Sequence, residues 1–161
     1  VYFDSFDADD GLFEFRGDGG YGQITRTIFQ HGVGGNQTFA YYNGAGWNSF
    51  GDFNTGQWYH CAVVREGSGT NNVSVYRDGT RLGQCTDTGT FIEGNFIIGA
   101  GTNGAFEMDG NMDEIRVSDS ARYSGSSCTV PTAAFENDAN TLFLLHGDGT
   151  NGSQDFRDDN A

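Results

Sequence analysis

The residues best suited to binding a ligand lie in one short stretch that alternates aromatic rings with side-chain amides. They are Tyr41, Tyr42, Asn43, Trp47 and Asn48. Aromatic rings can stack against the apolar faces of sugars, while amides hydrogen-bond to sugar hydroxyls. The alternative is that these rings fill the core, where large aromatic side chains are more often found. Because side chains alternate along a strand, at least one of Tyr41 and Tyr42 must face away from the core, so the stretch predicts a carbohydrate-binding site.

Two acidic stretches could supply oxygen ligands to calcium, which takes about six to eight of them. One contains Asp4, Asp7, Asp9 and Asp10; the other, called here the acidic C-terminal segment, contains Asp148, Asn151, Asp155 and Asp158, with Asp159 beside them. Neither stretch matches the helix–loop–helix calcium pattern. The alternative is a solvated acidic surface, which the sequence favours because acidic loops are common without ions. Calcium in the C-terminal segment is the one cofactor that the sequence suggests.

The charge composition excludes several other classes of function. The 161 residues carry 8 basic and 22 acidic side chains, for a net charge of -14, and every basic residue is Arg. Without Lys there is no Schiff-base or phosphate-loop lysine, and an acidic protein repels the backbone of nucleic acids.

The longest apolar runs are far too short to insert into a membrane. The three His residues are scattered and form no zinc or nucleophile motif.

The elements that must position these side chains are short β-strands in a single domain. Apolar residues alternate at period two, and glycine pairs interrupt the chain before a helical period develops. The strand candidates are 12–16, 23–30, 38–43, 57–65, 72–77, 81–86, 91–93, 95–99, 112–118 and 141–146. Many short strands at roughly 8–12-residue spacing predict an antiparallel sandwich or barrel.

Three local features refine this prediction. Asp78-Gly79 between two strand patterns predicts a type I′ hairpin turn. Both faces of 57–65 are apolar, so we expect a central strand covered on both sides. A single helical turn is predicted at 119–123. The three cysteines, Cys61, Cys85 and Cys128, allow at most one internal disulfide; free thiols are expected, with a Cys61–Cys85 bond as the alternative.

Four ordered blocks carry a more specific signal. They are GQWYHCAVVR at 56–65, VSVYRDG at 73–79, GNMDEIRV at 110–117 and ARY at 121–123. These blocks resemble the concanavalin A-like lectin/glucanase superfamily, and most closely the laminin-G-like module of viral and bacterial surface proteins. The resemblance covers about residues 12–123 and implies an all-β, antiparallel jelly-roll sandwich. It is much less specific for function than for fold.

The resemblance also raises the question of catalysis, because the superfamily includes laminarinase-type glycosidases with an E-x-D-x-x-E strand motif. Retaining hydrolysis needs two carboxyls about 5–5.5 Å apart. The matching stretch here starts with Glu107 and Asp109, but Met112 holds the place of the third carboxylate and Gly110 interrupts the strand. Glycosidase activity is therefore the least favoured alternative, and we expect no enzyme.

The C-terminal residues 138–161 are out of order for this family. The stretch NTLFLLHGDGTNGS at 140–153 resembles the beginning of such a module, although it ends this chain. Three interpretations compete: a circular permutation in which 141–146 fills a missing first strand, a fragment of a tandem array, and a strand donated to another copy in a homo-oligomer. An apolar unpaired strand is an aggregation site, so we expect closure within the chain, with donation as the alternative.

Taken together, these features predict a non-catalytic, lectin-like recognition module on a virion or cell exterior. Its partner would be a glycan. The alternative is a virion structural or decoration protein that packs against other virion or surface proteins or exchanges strands with them. A lectin should expose aromatic rings on a loop rim, whereas an assembly protein should expose apolar surface to neighbouring chains.

Overall fold

A computed structural model describes residues 1–6, 9–17, 24–33, 36–90, 94–101 and 105–159. Within these ranges the chain forms strands and no helix, which confirms the all-β prediction. The strands are β1 (Tyr2–Phe3), β2 (Asp9–Gly17), β3 (Ile24–Val33), β4 (Asn36–Tyr42), β5 (Trp47–Asp52), β6 (Cys61–Arg65), β7 (Val73–Arg77), β8 (Thr80–Cys85), β9 (Gly94–Ile98), β10 (Gly110–Asn111), β11 (Ile115–Ser118) and β12 (Thr141–Leu145).

The strands form two larger antiparallel sheets and two short pairs. The first sheet has five strands in the order β5-β4-β3-β2-β9, and the second has three in the order β6-β7-β8. Strand β1 pairs with β10, and β11 pairs with β12. Leu12 and Phe39 of the five-stranded sheet share a buried cluster with Val75 of the three-stranded sheet. The protein is therefore an antiparallel β-sandwich with its apolar core between the sheets.

The tight turn between β7 and β8 follows from its sequence. Asp78 has φ 48° and Gly79 has φ 79°, and the flanking residues Arg77 and Thr80 pair across the ladder. Positive φ at both central residues is the signature of a type I′ turn, so the hairpin prediction is confirmed. A Cβ at Gly79 would also lie 2.7 Å from the carbonyl oxygen of Cys128, so the 126–128 segment packs against this turn.

Some local predictions were wrong. Residues 57–60 lie outside the strand β6, which has a neighbour on one side only among the described strands, whereas β7 is central. Trp58 is 55% exposed and forms only an isolated bridge, with Tyr2. Residues 119–123 form no helical turn, and the predicted strand at 91–93 lies outside the described residues. The expectation of free thiols, by contrast, is confirmed for all three cysteines, and burial raises the pKa of Cys61 to about 12.

The C-terminal stretch 140–153 packs against its own chain. Its strand β12 pairs with β11, and Phe143 contacts Phe96 of the five-stranded sheet at 5.6 Å between ring centroids. The backbone N–H of Leu144 donates to Asp158 (3.0 Å), and His146 Nδ1 lies 2.7 Å from Glu114 Oε1. This pairing has the geometry expected for closure within the chain. Permutation, a tandem fragment and strand donation remain predictions to be tested.

Candidate functional site

The aromatic and amide-rich stretch forms a hairpin at one end of the sandwich. Strand β4 ends at Tyr42 and β5 begins at Trp47, and Gly44 turns the chain with φ 86°. The side-chain oxygen of Asn43 accepts hydrogen bonds from the backbone N–H groups of Ala45 (3.0 Å) and Gly46 (2.9 Å). An Asn at the start of a turn is suited to this role because its short side chain reaches the backbone N–H groups two and three residues further along the chain.

The hairpin presents one aromatic pair to solvent. Tyr42 and Trp47 are directly opposite each other across the ladder, with ring centroids 5.2 Å apart and planes tilted by 51°. Trp47 is 43% exposed and Tyr42 is half-buried. The prediction that one of the two tyrosines faces away from the core is confirmed, and that residue is Tyr42.

Tyr41 is a core residue and not a surface for ligand contact, so its place in the predicted site was wrong. Its ring is 2% exposed and packs with Val73 and Cys85. Its hydroxyl donates to Asp87 Oδ2 at 2.7 Å. Burial, together with the hydrogen bond to Asp87, raises the pKa of Tyr41 far above its usual value. The alternation that turns Tyr42 outward turns Tyr41 inward.

A buried polar network lies beneath the hairpin. Arg26 of β3 forms a bidentate ion pair with Asp87, and both side chains are almost fully buried. Asp87 also accepts the backbone N–H of Gly89 at 2.9 Å. Burial alone would raise the pKa of Asp87, but the hydrogen bonds from Arg26, Tyr41 and Gly89 outweigh it and lower that pKa. The network therefore holds a carboxylate and a guanidinium in their charged forms inside the protein.

The same network ties three loops together. Asn72, at the end of the β6–β7 loop, donates to the carbonyl of Asp87 (2.7 Å) and accepts from its N–H (2.8 Å). Asn43 Nδ2 donates to the carbonyl of Thr86 (3.0 Å), and the N–H of Asn71 donates to the Thr86 hydroxyl (2.9 Å). The β4–β5, β6–β7 and β8–β9 loops thus form one connected rim, which includes the turn of the aromatic hairpin.

The two asparagine amides of the predicted site serve the hairpin itself. Asn43 uses its oxygen and one N–H within the rim, as described above. The side-chain nitrogen of Asn48 lies 3.4 Å from the carbonyls of Tyr41 and Gly46. A ligand would therefore meet Tyr42 and Trp47 first, with the amides fixing the position of those rings.

Sequence reasoning missed a row of residues that continues from the aromatic pair across the sheet. Glu14 of β2 is opposite Thr27 of β3, which is opposite Tyr42, which is opposite Trp47. Glu14 and Thr27 are almost fully buried, and Arg16 lies near Glu14 with 3.8 Å between Nη1 and Oε1. The alternation of Phe13 and Phe15 with Glu14 and Arg16 is typical of a strand with one solvated face, so the sequence carries no signal for the burial of these two charges.

The acidic C-terminal segment has its own internal contacts. Asp155 pairs with Arg157 at 2.7 Å, and Asp158 accepts the N–H of Leu144, while Asp148 and Asn151 are exposed. Across the described part of the chain, no three His, Cys, Asp or Glu side chains are grouped closely enough to hold a metal ion. Of the other acidic stretch, Asp7 lies outside the described residues. Calcium binding remains a prediction.

The degenerate glycosidase motif does not form one strand face. Only Gly110 and Asn111 of 107–112 belong to a strand, and Met112 packs against the core. Asp109 accepts the Ser5 hydroxyl at 2.5 Å and its carbonyl accepts the N–H of Asp4. Asp109 thus anchors the N-terminal residues in this structure.

Comparison with known proteins identifies the family. None of the described residues forms a helix long and apolar enough to cross a membrane. No curated protein and no solved structure matches the chain. The laminin-G model of the concanavalin A-like lectin/glucanases superfamily matches residues 1–126, a range that contains both larger sheets and the aromatic hairpin. The chain therefore belongs to the concanavalin A-like lectin/glucanase superfamily.

Proposed function

We propose that the protein is a glycan-binding module whose contact surface is the Tyr42–Trp47 pair. The observation that carries this proposal is a half-exposed Trp47 packed on Tyr42 at the end of the sandwich. Aromatic rings of this kind are more often buried, and an exposed pair on a loop rim is suited to the apolar face of a sugar. The superfamily fits a lectin-like or adhesive module.

The rigidity of the rim supports the proposal. Asn43 and Thr86 join two of the loops, and Asp87 joins them to the β-sheet beneath. A surface that is already ordered loses little side-chain entropy when a ligand binds, which favours affinity. The contact needs no charge on the ligand, so the proposed ligand at this hairpin is a neutral sugar ring.

The proposed role is recognition without hydrolysis, on a virion or cell exterior. Laminin-G-like domains are often extracellular and are generally non-catalytic. The dispersed carboxylates of 107–112 supply no pair on one strand face for retaining hydrolysis. Incubation with β-glucans should release no reducing ends, and release that is lost in Glu107→Gln would contradict this part of the proposal.

A second candidate function is assembly with other virion or surface proteins through β12. Leu142 of that strand is 56% exposed, and exposed apolar strand residues favour contact with another chain. Sedimentation at micromolar concentration distinguishes the two functions. A strict monomer contradicts strand donation, whereas a dimer that disappears in Leu142→Ser supports assembly.

The decisive experiment is a glycan array followed by titration of the best neutral ligand. We expect Trp47→Ala to weaken binding by more than tenfold, because a buried aromatic contact dominates small interfaces. Trp58→Ala is the matched control. Trp58 is also exposed, and its ring packs on Tyr2 with 5.7 Å between centroids. Trp58 precedes the first residue of β6, whereas the rim loop 66–72 leaves the opposite end of that strand. Equal binding by wild type and Trp47→Ala, or equal losses in both variants, would contradict the hairpin site.

A further inference from the structure

A second concave surface lies far along the chain from the aromatic hairpin. It is an open cleft of about 490 Å³ between β11 and the segment 129–138. Ligand sites of proteins fall in the range of about 300–1,000 Å³, so the cleft can take one or two sugar rings. Its lining includes Arg116, Arg122, Tyr123, Phe135 and Asp138.

Arg116 is the distinctive group of this cleft. Its guanidinium carbon lies 4.2 Å from the centre of the Phe135 ring, a cation–π contact that holds the side chain in place. Within the described ranges, no carboxylate forms an ion pair with it. In a chain with 22 acidic and 8 basic side chains, an arginine without a carboxylate partner in a cleft is unusual. Its N–H groups are available to a ligand.

The other charges of the cleft are arranged differently. Arg122 is neutralised by Asp138 through two bonds of 2.6 Å, and it also donates to the Ser118 hydroxyl at 2.9 Å. Glu136 lines the cleft as well. One guanidinium is therefore open to a single negative group, while the Arg122–Asp138 pair is neutral and Glu136 opposes a ligand with several negative charges.

The wall of the cleft is anchored to the sandwich. The N–H of Phe135 donates to Glu114 Oε2 at 2.6 Å, and the Tyr123 hydroxyl lies 3.3 Å from His60 Nε2. These contacts hold in place Phe135 and Tyr123, which line the cleft together with Arg116. The cleft therefore exists before a ligand binds.

We propose that this cleft binds the carboxylate of an acidic sugar, with Arg116 as the recognising residue. The planar guanidinium fork matches a carboxylate with two parallel hydrogen bonds. Thr129 and Thr132 offer hydroxyls to the ring, and Pro131 and Phe135 offer apolar contact. The ligand is a sugar acid with one carboxylate, such as a uronic acid. This site is separate from the aromatic hairpin and does not depend on it.

The test compares methyl β-D-glucuronide with methyl β-D-glucoside by titration calorimetry and ligand-observed NMR on the full chain. We expect saturable binding of the glucuronide and at least about tenfold weaker binding of the neutral glucoside, because a charge-assisted pair is lost. The comparison is made on the wild-type protein and on Trp47→Ala, which lacks the exposed ring of the hairpin proposed to take neutral sugars. Equal binding of the two sugars by Trp47→Ala, or no saturable binding of the glucuronide by the wild type, would overturn the proposal.

Variants then locate the site. Arg116→Gln should weaken glucuronide binding by at least about tenfold, whereas Arg157→Gln, which removes the same charge from an 80% exposed side chain, should leave it unchanged. Unchanged binding by Arg116→Gln would overturn the assignment. If acetate competes as strongly as the glucuronide binds, the sugar ring is not recognised. If glucose 6-sulfate binds more tightly than the glucuronide, the site prefers sulfate. Either result overturns the proposal that the ligand is a sugar carboxylate. Trp47→Ala should bind the glucuronide normally, which separates this site from the hairpin.

Discussion

Replacing Asp87 with Asn would remove one charge from the interior of the sandwich and leave the shape of the side chain almost unchanged. Asp87 is 2% exposed and Arg26 is 4% exposed, so the guanidinium would lose the bidentate contact with this carboxylate in a place that water does not reach. Tyr41 would lose its charged acceptor at the same time. The substitution therefore tests whether this network stabilises the fold under the aromatic hairpin.

The expected loss is large for a single substitution. Breaking a buried ion pair by removing one partner costs about 3–5 kcal/mol, because the remaining charge stays buried without that partner. In a domain of this size, 1 kcal/mol corresponds to about 2–4 °C in melting temperature, so we expect a decrease of about 6–20 °C. Arg26→Met combined with Asp87→Asn should lose much less than the sum of the two single variants.

The assay is thermal unfolding followed by circular dichroism at several pH values. Asp138→Asn is the matched control, since Asp138 is also paired with an arginine but is exposed, and it should change the melting temperature little. Because the pKa of Asp87 is lowered in the folded protein, the stabilisation is complete above the unfolded value of about 3.9 and is lost as the pH falls through the folded value. The difference between wild type and Asp87→Asn should therefore shrink in acid.

Two results would refute this reasoning. The first is an Asp87→Asn variant that unfolds within about 1 kcal/mol of the wild type at pH 7, since that loss is well below the cost of an unpaired buried charge. The second is a loss of stability that has the same size at pH 3 and at pH 7. Additive losses in the double variant would show that Arg26 and Asp87 do not act as a pair.

Three further predictions concern other parts of the molecule. The hydrogen bond to Glu114 raises the pKa of His146. The anchoring of β12 should therefore be complete below about pH 6.5 and weaken as the pH rises through the pKa of His146 in the folded protein. Hydrogen exchange of β12 in wild type and in His146→Gln would show this. Gly83→Ala should lower the free energy of unfolding by about 1–3 kcal/mol, because the added Cβ would lie 2.7 Å from the Phe50 ring. Gly51→Ala is its control, since the nearest atom there is 3.4 Å away and little stability should be lost. Urea unfolding measures both. Calcium held by the acidic C-terminal segment should raise the melting temperature relative to a chelator, and an unchanged melt would contradict that ion site.

The strands with strong local patterns could be predicted from the sequence. The alternation of β2 and β4 and the Asp78-Gly79 turn specify their conformation without help from the rest of the chain. Strand β5 was not predicted as a strand, because Asn48, Ser49 and Gly51 have low strand propensity and the pairing with β4 decides its conformation. The apolar pattern of 57–65 was misleading because Trp58 lies outside β6 and is exposed.

The candidate site could be predicted only in part. The sequence identified the Tyr42–Trp47 stretch, but it could not decide which tyrosine faces inward, since alternation leaves both registers open. The partner of Tyr41 is Asp87, which is 46 residues away, and Arg26 is 61 residues from the same carboxylate. Such long-range contacts have no local signature. Arg116 and Phe135 are likewise neighbours only after folding.

The position of β2 has a consequence for how the chain folds. β2 lies between β3 and β9, and its residues Phe13 and Phe15 pair with Ile98 and Phe96. Every strand of the β6–β8 meander is synthesised before that pairing can form, and closing so long a loop is slow. Until then β2 presents an open apolar edge, which is a template for pairing with another chain. Of the five strands of its sheet, β2 is the first to be made, and its second edge is the last to be paired.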